Sequence, residues 1–225
     1  MPTLQRDGDV FILDLGDDEN RFNPPWVEAV TAAIDEVEAA QGPKALVTSA
    51  TGKFWSNGLD LQWIGEHQDQ AQDFINSVHE LFARVLLLAA PSVAAIQGHC
   101  FAAGAMLATA HDQRVMRKDR GFWCTPEVDI RIPFTAGMSA LLQARLSKAT
   151  AHEAMTTGRR FGGDDALAAS IVDATVKEGK VLEWAVDRAA ALAGKDGATM
   201  GKIKARMYAD AAAILRDPTA NRLGA

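Results

Sequence analysis

The chain has 225 residues, 48% hydrophobic and 23% charged, enough apolar material for a sizeable core in one large domain or two small ones. Its formal charge is 23 − 29 = −6, so no general field draws it to nucleic acid or to an anionic membrane, and an anionic ligand needs a local cationic patch. Cys100 and Cys124 lie in apolar stretches without neighbouring ligand residues, which argues against a zinc site or disulfide framework and predicts a reducing, cytoplasmic compartment.

Residues 10–15, Val-Phe-Ile-Leu-Asp-Leu, read as a short buried strand. Asn23 followed by Pro24-Pro25 is a helix start, with a capping side chain and then proline in the first turn. Val27, Val30, Ile34 and Val37 carry that helix to about residue 40, where Gly42-Pro43 stops it. A second strand covers 45–48, a loop 50–57, and a short helix begins near 59. A longer helix over 69–89 places Phe74, Val78, Leu81, Phe82 and Val85 on one face before Pro91.

Strands at 92–97, 114–116 and 121–124 alternate with a helix at 103–110, which predicts parallel pairing with crossover helices in an α/β fold. From Thr135 onward the pattern is helical, interrupted by an apolar stretch at 171–176. The expected division is a core over 1–177 and a helical region over 178–225, whose alanine-rich stretches (185–193 and 205–215) suit close packing on the core or on a neighbouring subunit. The longest apolar run, 85–96, is too short for a bilayer. Charges at Arg6, Asp7, Asp9 and Asp14 argue against a signal-peptide core, and the final Arg-Leu-Gly-Ala matches no lipidation or peroxisomal signal, so a soluble protein is expected.

The chemistry concentrates in residues 98–132. Gly98-His-Cys-Phe-Ala-Ala-Gly104 is a glycine/alanine turn leading into an apolar helix, whose first N–H groups have no partner within the helix. Further on, Glu127 stands among Phe122, Trp123, Cys124, Pro126, Val128 and Ile130. Oriented amides beside one poorly solvated carboxylate suit proton movement next to a carbonyl. Other site patterns fail: His79-Glu80 and His152-Glu153 lack the second histidine of a zinc protease, no serine has the Gly-x-Ser-x-Gly elbow, and neither nucleotide-binding glycine pattern is present.

Lys53-Phe-Trp-Ser-Asn-Gly-Leu-Asp-Leu61, Gly98 to Gly104, His111-Asp112 and Thr125-Pro-Glu-Val-Asp-Ile130 resemble, in order and spacing, the crotonase (enoyl-CoA hydratase/isomerase) superfamily. The likeness covers roughly residues 10–177 and is strongest toward the Δ3,Δ2-enoyl-CoA isomerases. It implies a spiral of β-β-α units followed by a helical trimerisation region, assembled as a homotrimer or a dimer of trimers. It also implies an acyl-CoA thioester whose carbonyl oxygen sits between the backbone amides of Leu59 and Ala103. Asn57, Gly58, Asp60, Leu61, Arg21 and Trp123 are the implied substrate contacts. No metal or separate cofactor is implied, because coenzyme A is part of the substrate.

The resemblance also sorts the acids. Hydratases of the superfamily carry a glutamate where this chain has Met106, and dienoyl isomerases an aspartate where it has Thr135. Glu127 remains, implying a one-carboxylate isomerase in which Trp123 helps to desolvate the acid. Other crotonase chemistries stay open (hydratase, thioesterase, decarboxylase), as does an inactive acyl-CoA-binding protein, since Ala102-Ala103 replaces two family glycines. Asp129 is expected along an extended segment with Glu127, in a salt bridge to Arg131 or Arg114. Trp55, Trp63, Phe74 and Phe82 are core or acyl-pocket residues. Arg21 reads equally as a phosphate contact or a surface charge, and Lys202 and Lys204 read first as a solvated face, then as phosphate contacts.

Overall fold

A computed structural model describes residues 1–222. The chain opens with an antiparallel hairpin, β1 (Thr3–Asp7) and β2 (Val10–Asp14), turned by Gly8 with φ 58°. Helix α1 (Pro24–Ala39) is capped as its sequence predicts, with Asn23 Oδ1 accepting the Trp26 N–H at 3.1 Å. β3 (Ala45–Ser49) and β4 (Phe54–Ser56) follow, then α2 (Leu61–Glu66) and α3 (Ala71–Leu87). β5 (Ser92–Ile96), β6 (His99–Phe101) and α4 (Ala103–Ala110) repeat the pattern, as do β7 (Gln113–Arg117), β8 (Trp123–Cys124) and α5 (Glu127–Ile130). The remainder is α6 (Ala136–Arg145), α7 (Lys148–Thr157), α8 (Gly163–Ala168), β9 (Ala174–Val176), α9 (Val181–Ala193), α10 (Gly197–Met207) and α11 (Ala209–Leu215).

Each middle unit sends its first strand to one sheet and its second to another, then closes with helix. The large sheet has the order β1-β2-β3-β5-β7-β9, parallel except for the opening hairpin, and the small parallel sheet is β4-β6-β8. This is the expected spiral of β-β-α units. β3 and β5 are buried at every residue, which is why they read as unbroken apolar or small-residue runs. One face of the large sheet packs Val47, Val93 and Val115 against Val181, Ala185 and Ala189 of α9. The main core lies elsewhere, among α1, α3, α4 and the small sheet, and a single apolar cluster there runs from Phe11 to Leu215. It therefore holds residues from both sides of position 177. Among the described residues no helix is long and apolar enough to cross a membrane.

The helical end docks through close approaches. A Cβ on Gly137 of α6 would stand 3.0 Å from Leu215 Cα and from Asn221 Oδ1, so any larger residue there would press on the end of α11. Lys204 corrects an expectation: it belongs neither to a solvated face nor to a phosphate site. Its ammonium is buried, donating to the carbonyls of Leu88 (2.8 Å) and Ala90 (3.0 Å) and to Asp112 Oδ2 (2.7 Å). Alternating charges on a helix do not reveal that one of them ties off the C-terminal end of α3.

Candidate active site

The turn after β6 sets the first half of the site. Ala102 has φ 51° and ψ −126°, a conformation that an L residue with a Cβ rarely adopts. Its own N–H is tied to Cys124 O at 3.0 Å, and its carbonyl starts α4 by accepting the Met106 N–H. Ala103 is the first residue of that helix, and its N–H donates to no protein acceptor among the described residues. Position and helix dipole both favour negative charge at this point.

The second half is the loop after β4. Gly58 has φ 80°, and a Cβ there would meet Ala102 Cβ at 2.9 Å and Ala103 N at 3.0 Å, so only glycine allows the two turns to touch. The Phe22 N–H donates to Gly58 O and the Asp60 N–H to Phe22 O, each at 2.8 Å. The Gly58 N–H donates to Ser56 Oγ at 3.1 Å, and Asp60 Oδ1 caps α2 by accepting the Trp63 N–H. The Leu59 N–H is left without a protein acceptor among the described residues. The Glu19-to-Asn23 segment thus braces the loop through its backbone.

A cavity of about 260 Å³ opens where the two turns meet. Its walls include Arg21, Asn57, Leu59, Leu61, Ala103 and Glu127, six of the nine expected site residues, together with Met106, Ile130, Ile132 and Met138. Gly58 and Asp60 shape the loop without lining the cavity. Trp123 is a correction: its indole is fully buried, donates to Ala105 O at 3.3 Å and meets Phe161 edge to face. A side chain sealed from that space cannot touch a ligand in it, because β8 turns Trp123 inward. Trp55, Phe74 and Phe82 are likewise core, and Trp63 packs at its margin. Arg21 is on the cavity wall but pairs with Glu19 and stays exposed.

Among the described residues Glu127 is the cavity's only carboxylate, 6% exposed, and its Oε2 is buried with no hydrogen-bond partner among them. Burial pushes its pKa up to about 7 from the usual 4.5, offset slightly by a hydrogen bond from its own backbone. It starts α5, a single helical turn, rather than an extended segment, so Asp129 does not share its direction. Asp129 forms no ion pair among the described residues, and its carboxylate lies against Gly158. Arg114 instead pairs with Asp173 at 3.7 Å. Thr135 caps α6 and bonds to His79 Nε2 at 2.9 Å. Two N–H groups without protein acceptors therefore border the same largely apolar cavity as one buried carboxyl oxygen that has no partner among the described residues.

The sequence profile described as Enoyl-CoA hydratase/isomerase matches residues 10–222. Enoyl-CoA delta isomerase 3 of Arabidopsis thaliana is 35% identical, over 99% of this chain and 98% of its own length. Peroxisomal enoyl-CoA delta isomerase 2 of the same plant is 34% identical over 96% and 95%. An apo enoyl-CoA isomerase structure from Mycobacterium tuberculosis superposes with a TM-score of 0.89, covering 96% of this chain and 95% of that one at 27% identity.

Proposed function

Because this chain belongs to the enoyl-CoA hydratase/isomerase family, we propose that it is a Δ3,Δ2-enoyl-CoA isomerase working through one glutamate. In this reading the thioester oxygen of a 3-enoyl-CoA accepts hydrogen bonds from the Leu59 and Ala103 N–H groups. The Glu127 carboxylate removes a proton from C2, and the electron pair delocalises onto the oxygen as an enolate. The same carboxyl group then delivers its proton to C4, giving the 2-enoyl thioester and restoring the carboxylate. No water is added and nothing is oxidised.

The observation that carries this reading is the lone acid. Glu127 and Arg21 are the only ionisable side chains on the cavity wall, and Met106 stands there where hydratases carry a second glutamate. With a pKa near 7, Glu127 is suited to take a proton and to return it at neutral pH. Each well-aimed oxyanion donor contributes about 3–4 kcal/mol to the transition state. The exposed apolar residues Ile203 and Met207 of α10 support assembly as a trimer or a dimer of trimers, and the two buried free thiols support a cytoplasmic location.

The test supplies 3-enoyl-CoA and follows formation of the conjugated thioester in the ultraviolet, with solvent-deuterium incorporation at C2 and C4. Glu127→Gln is expected to slow turnover about 10²–10⁴-fold. Near-normal turnover in that variant overturns the role of Glu127. Formation of 3-hydroxyacyl-CoA from 2-enoyl-CoA as the main reaction replaces the isomerase with a hydratase. Tight acyl-CoA binding without deuterium exchange at C2 points to a binding protein.

A further inference from the structure

The two donor amides come from different turns, and one fully buried hydroxyl stands between them. Ser56 is the last residue of β4 and is 0% exposed. Its Oγ–H donates to the Asn20 carbonyl at 2.7 Å, and its Oγ accepts the Gly58 N–H at 3.1 Å. Asn20 is itself fixed: it is buried with φ 49°, and its side-chain amide donates to the carbonyls of Gly16, Phe54 and Trp55. On its other side Ser56 abuts α4. A Cβ on Gly104 would fall 2.7 Å from Ser56 Cβ and 2.8 Å from its Oγ, so the first turn of that helix rests directly on this serine.

We infer that Ser56 is a positioning residue that holds the Leu59 and Ala103 N–H groups in register as a single oxyanion site. By engaging the Gly58 N–H it orients the peptide plane that precedes the Leu59 amide. By contact with Gly104 it sets the height of the helix that starts at Ala103. Its hydroxyl has one donor and one acceptor role filled within the protein, and it reaches no cavity wall, so its action passes through the two backbone turns. Sub-ångström alignment of such donors is what separates a transition-state contact from a ground-state one.

The inference rests on the proposed use of the two amides, and the experiment separates the two claims. Full-length wild type, Ser56→Ala, Ser56→Cys and Gly104→Ala are first checked for folding by circular dichroism and thermal melting. Each folded protein is then assayed with 3-enoyl-CoA, and the carbonyl ¹³C shift of a bound saturated acyl-CoA labelled at the thioester carbon is recorded. Ser56→Ala is expected to lower kcat about 10–100-fold, with KM within about threefold. The bound carbonyl shift should return at least halfway to its free value while the pH profile set by Glu127 stays in place.

Ser56→Cys, which keeps a weak donor and acceptor, should fall between wild type and Ser56→Ala. Gly104→Ala displaces the hydroxyl without deleting it and should reproduce the loss, so one of these variants carries the test if Ser56→Ala does not fold. A bound carbonyl shift equal to wild type in every folded variant overturns the assignment, as does a wild type that leaves the thioester carbonyl unpolarised. A wild type that polarises the carbonyl without isomerising, and loses that polarisation in the variants, upholds Ser56 while overturning the isomerase reading.

Discussion

Replacing Glu127 by glutamine should make the folded protein more stable, by an amount that grows with pH. The acid titrates near 7 in the fold and near 4.5 when unfolded. Below pH 4.5 both states are protonated and the favourable contribution of the neutral acid is fully present. As pH rises through 7 the folded state must ionise a carboxylate with a partnerless oxygen, and that contribution is lost. That difference corresponds to about 3 kcal/mol, undiscounted because the residue is only 6% exposed. Urea unfolding of both proteins at fixed concentration between pH 5 and 8 reads it directly. The variant's advantage should widen by roughly 2–3 kcal/mol across that range. A pH-independent difference would refute the argument that Glu127 is held uncompensated, whatever its effect on turnover.

Three other outcomes follow from the same geometry. The pH profile of kcat/KM should show an acid limb with an apparent pKa near 7, activity falling about tenfold per unit below it, and a limb at 4.5 instead would contradict the burial of the base. Ala102→Gly should raise the urea midpoint: relief of a strained φ/ψ of about 1–3 kcal/mol exceeds the roughly 0.5–1 kcal/mol of added chain freedom, and a lowered midpoint would show the turn is unstrained. Lys204→Met should cost about 3 kcal/mol, the low end for breaking a buried pair, because Asp112 keeps 28% exposure and still accepts from Ser92. A loss below about 1 kcal/mol in chemical denaturation would return Lys204 to the class of surface ion pairs.

Long periodic or fully apolar segments were legible from residues alone. α1 with its Asn23 cap, α3 with Phe74, Val78 and Phe82 inside, and the buried β3 and β5 all fall within two residues of their expected ends. β1, β4 and β6 were not expected: Thr3–Asp7 is a polar edge strand, and the others are three residues long, too short to show a period of two. Site residues divide in the same way. Leu59 and Ala103, implied by the family resemblance, meet Glu127 in one cavity, whereas Trp123 faces the core, and a two-residue strand gives no alternation from which to choose a face. Ser56 lies within a motif that carries the resemblance, but neither it nor Asn20 is given a role by the sequence, since their significance lies in a hydrogen bond spanning 36 residues of chain. The one available hint was a serine next to two aromatic residues in an otherwise apolar strand.

Three departures from ordinary folding rules border the same cavity. Ala102 takes a φ suited to glycine, and among the described residues the Leu59 and Ala103 amides lack acceptors and the Glu127 Oε2 lacks a partner. Hydrogen bonds of Asn20, Phe22 and Ser56 hold the loop that presents the Leu59 amide, and the Ala102 N–H is fixed by Cys124 O. No hydrogen bond joins the two amides to the acid among the described residues, so the donors and the carboxyl group are each free to engage a ligand. A bound carbonyl compound with an acidic neighbouring C–H engages both at once: its oxygen takes the amides and its proton takes the carboxylate. In the proposed reading these donors engage the carbonyl oxygen more strongly as it gains negative charge, which is how such a site favours the transition state over the bound substrate.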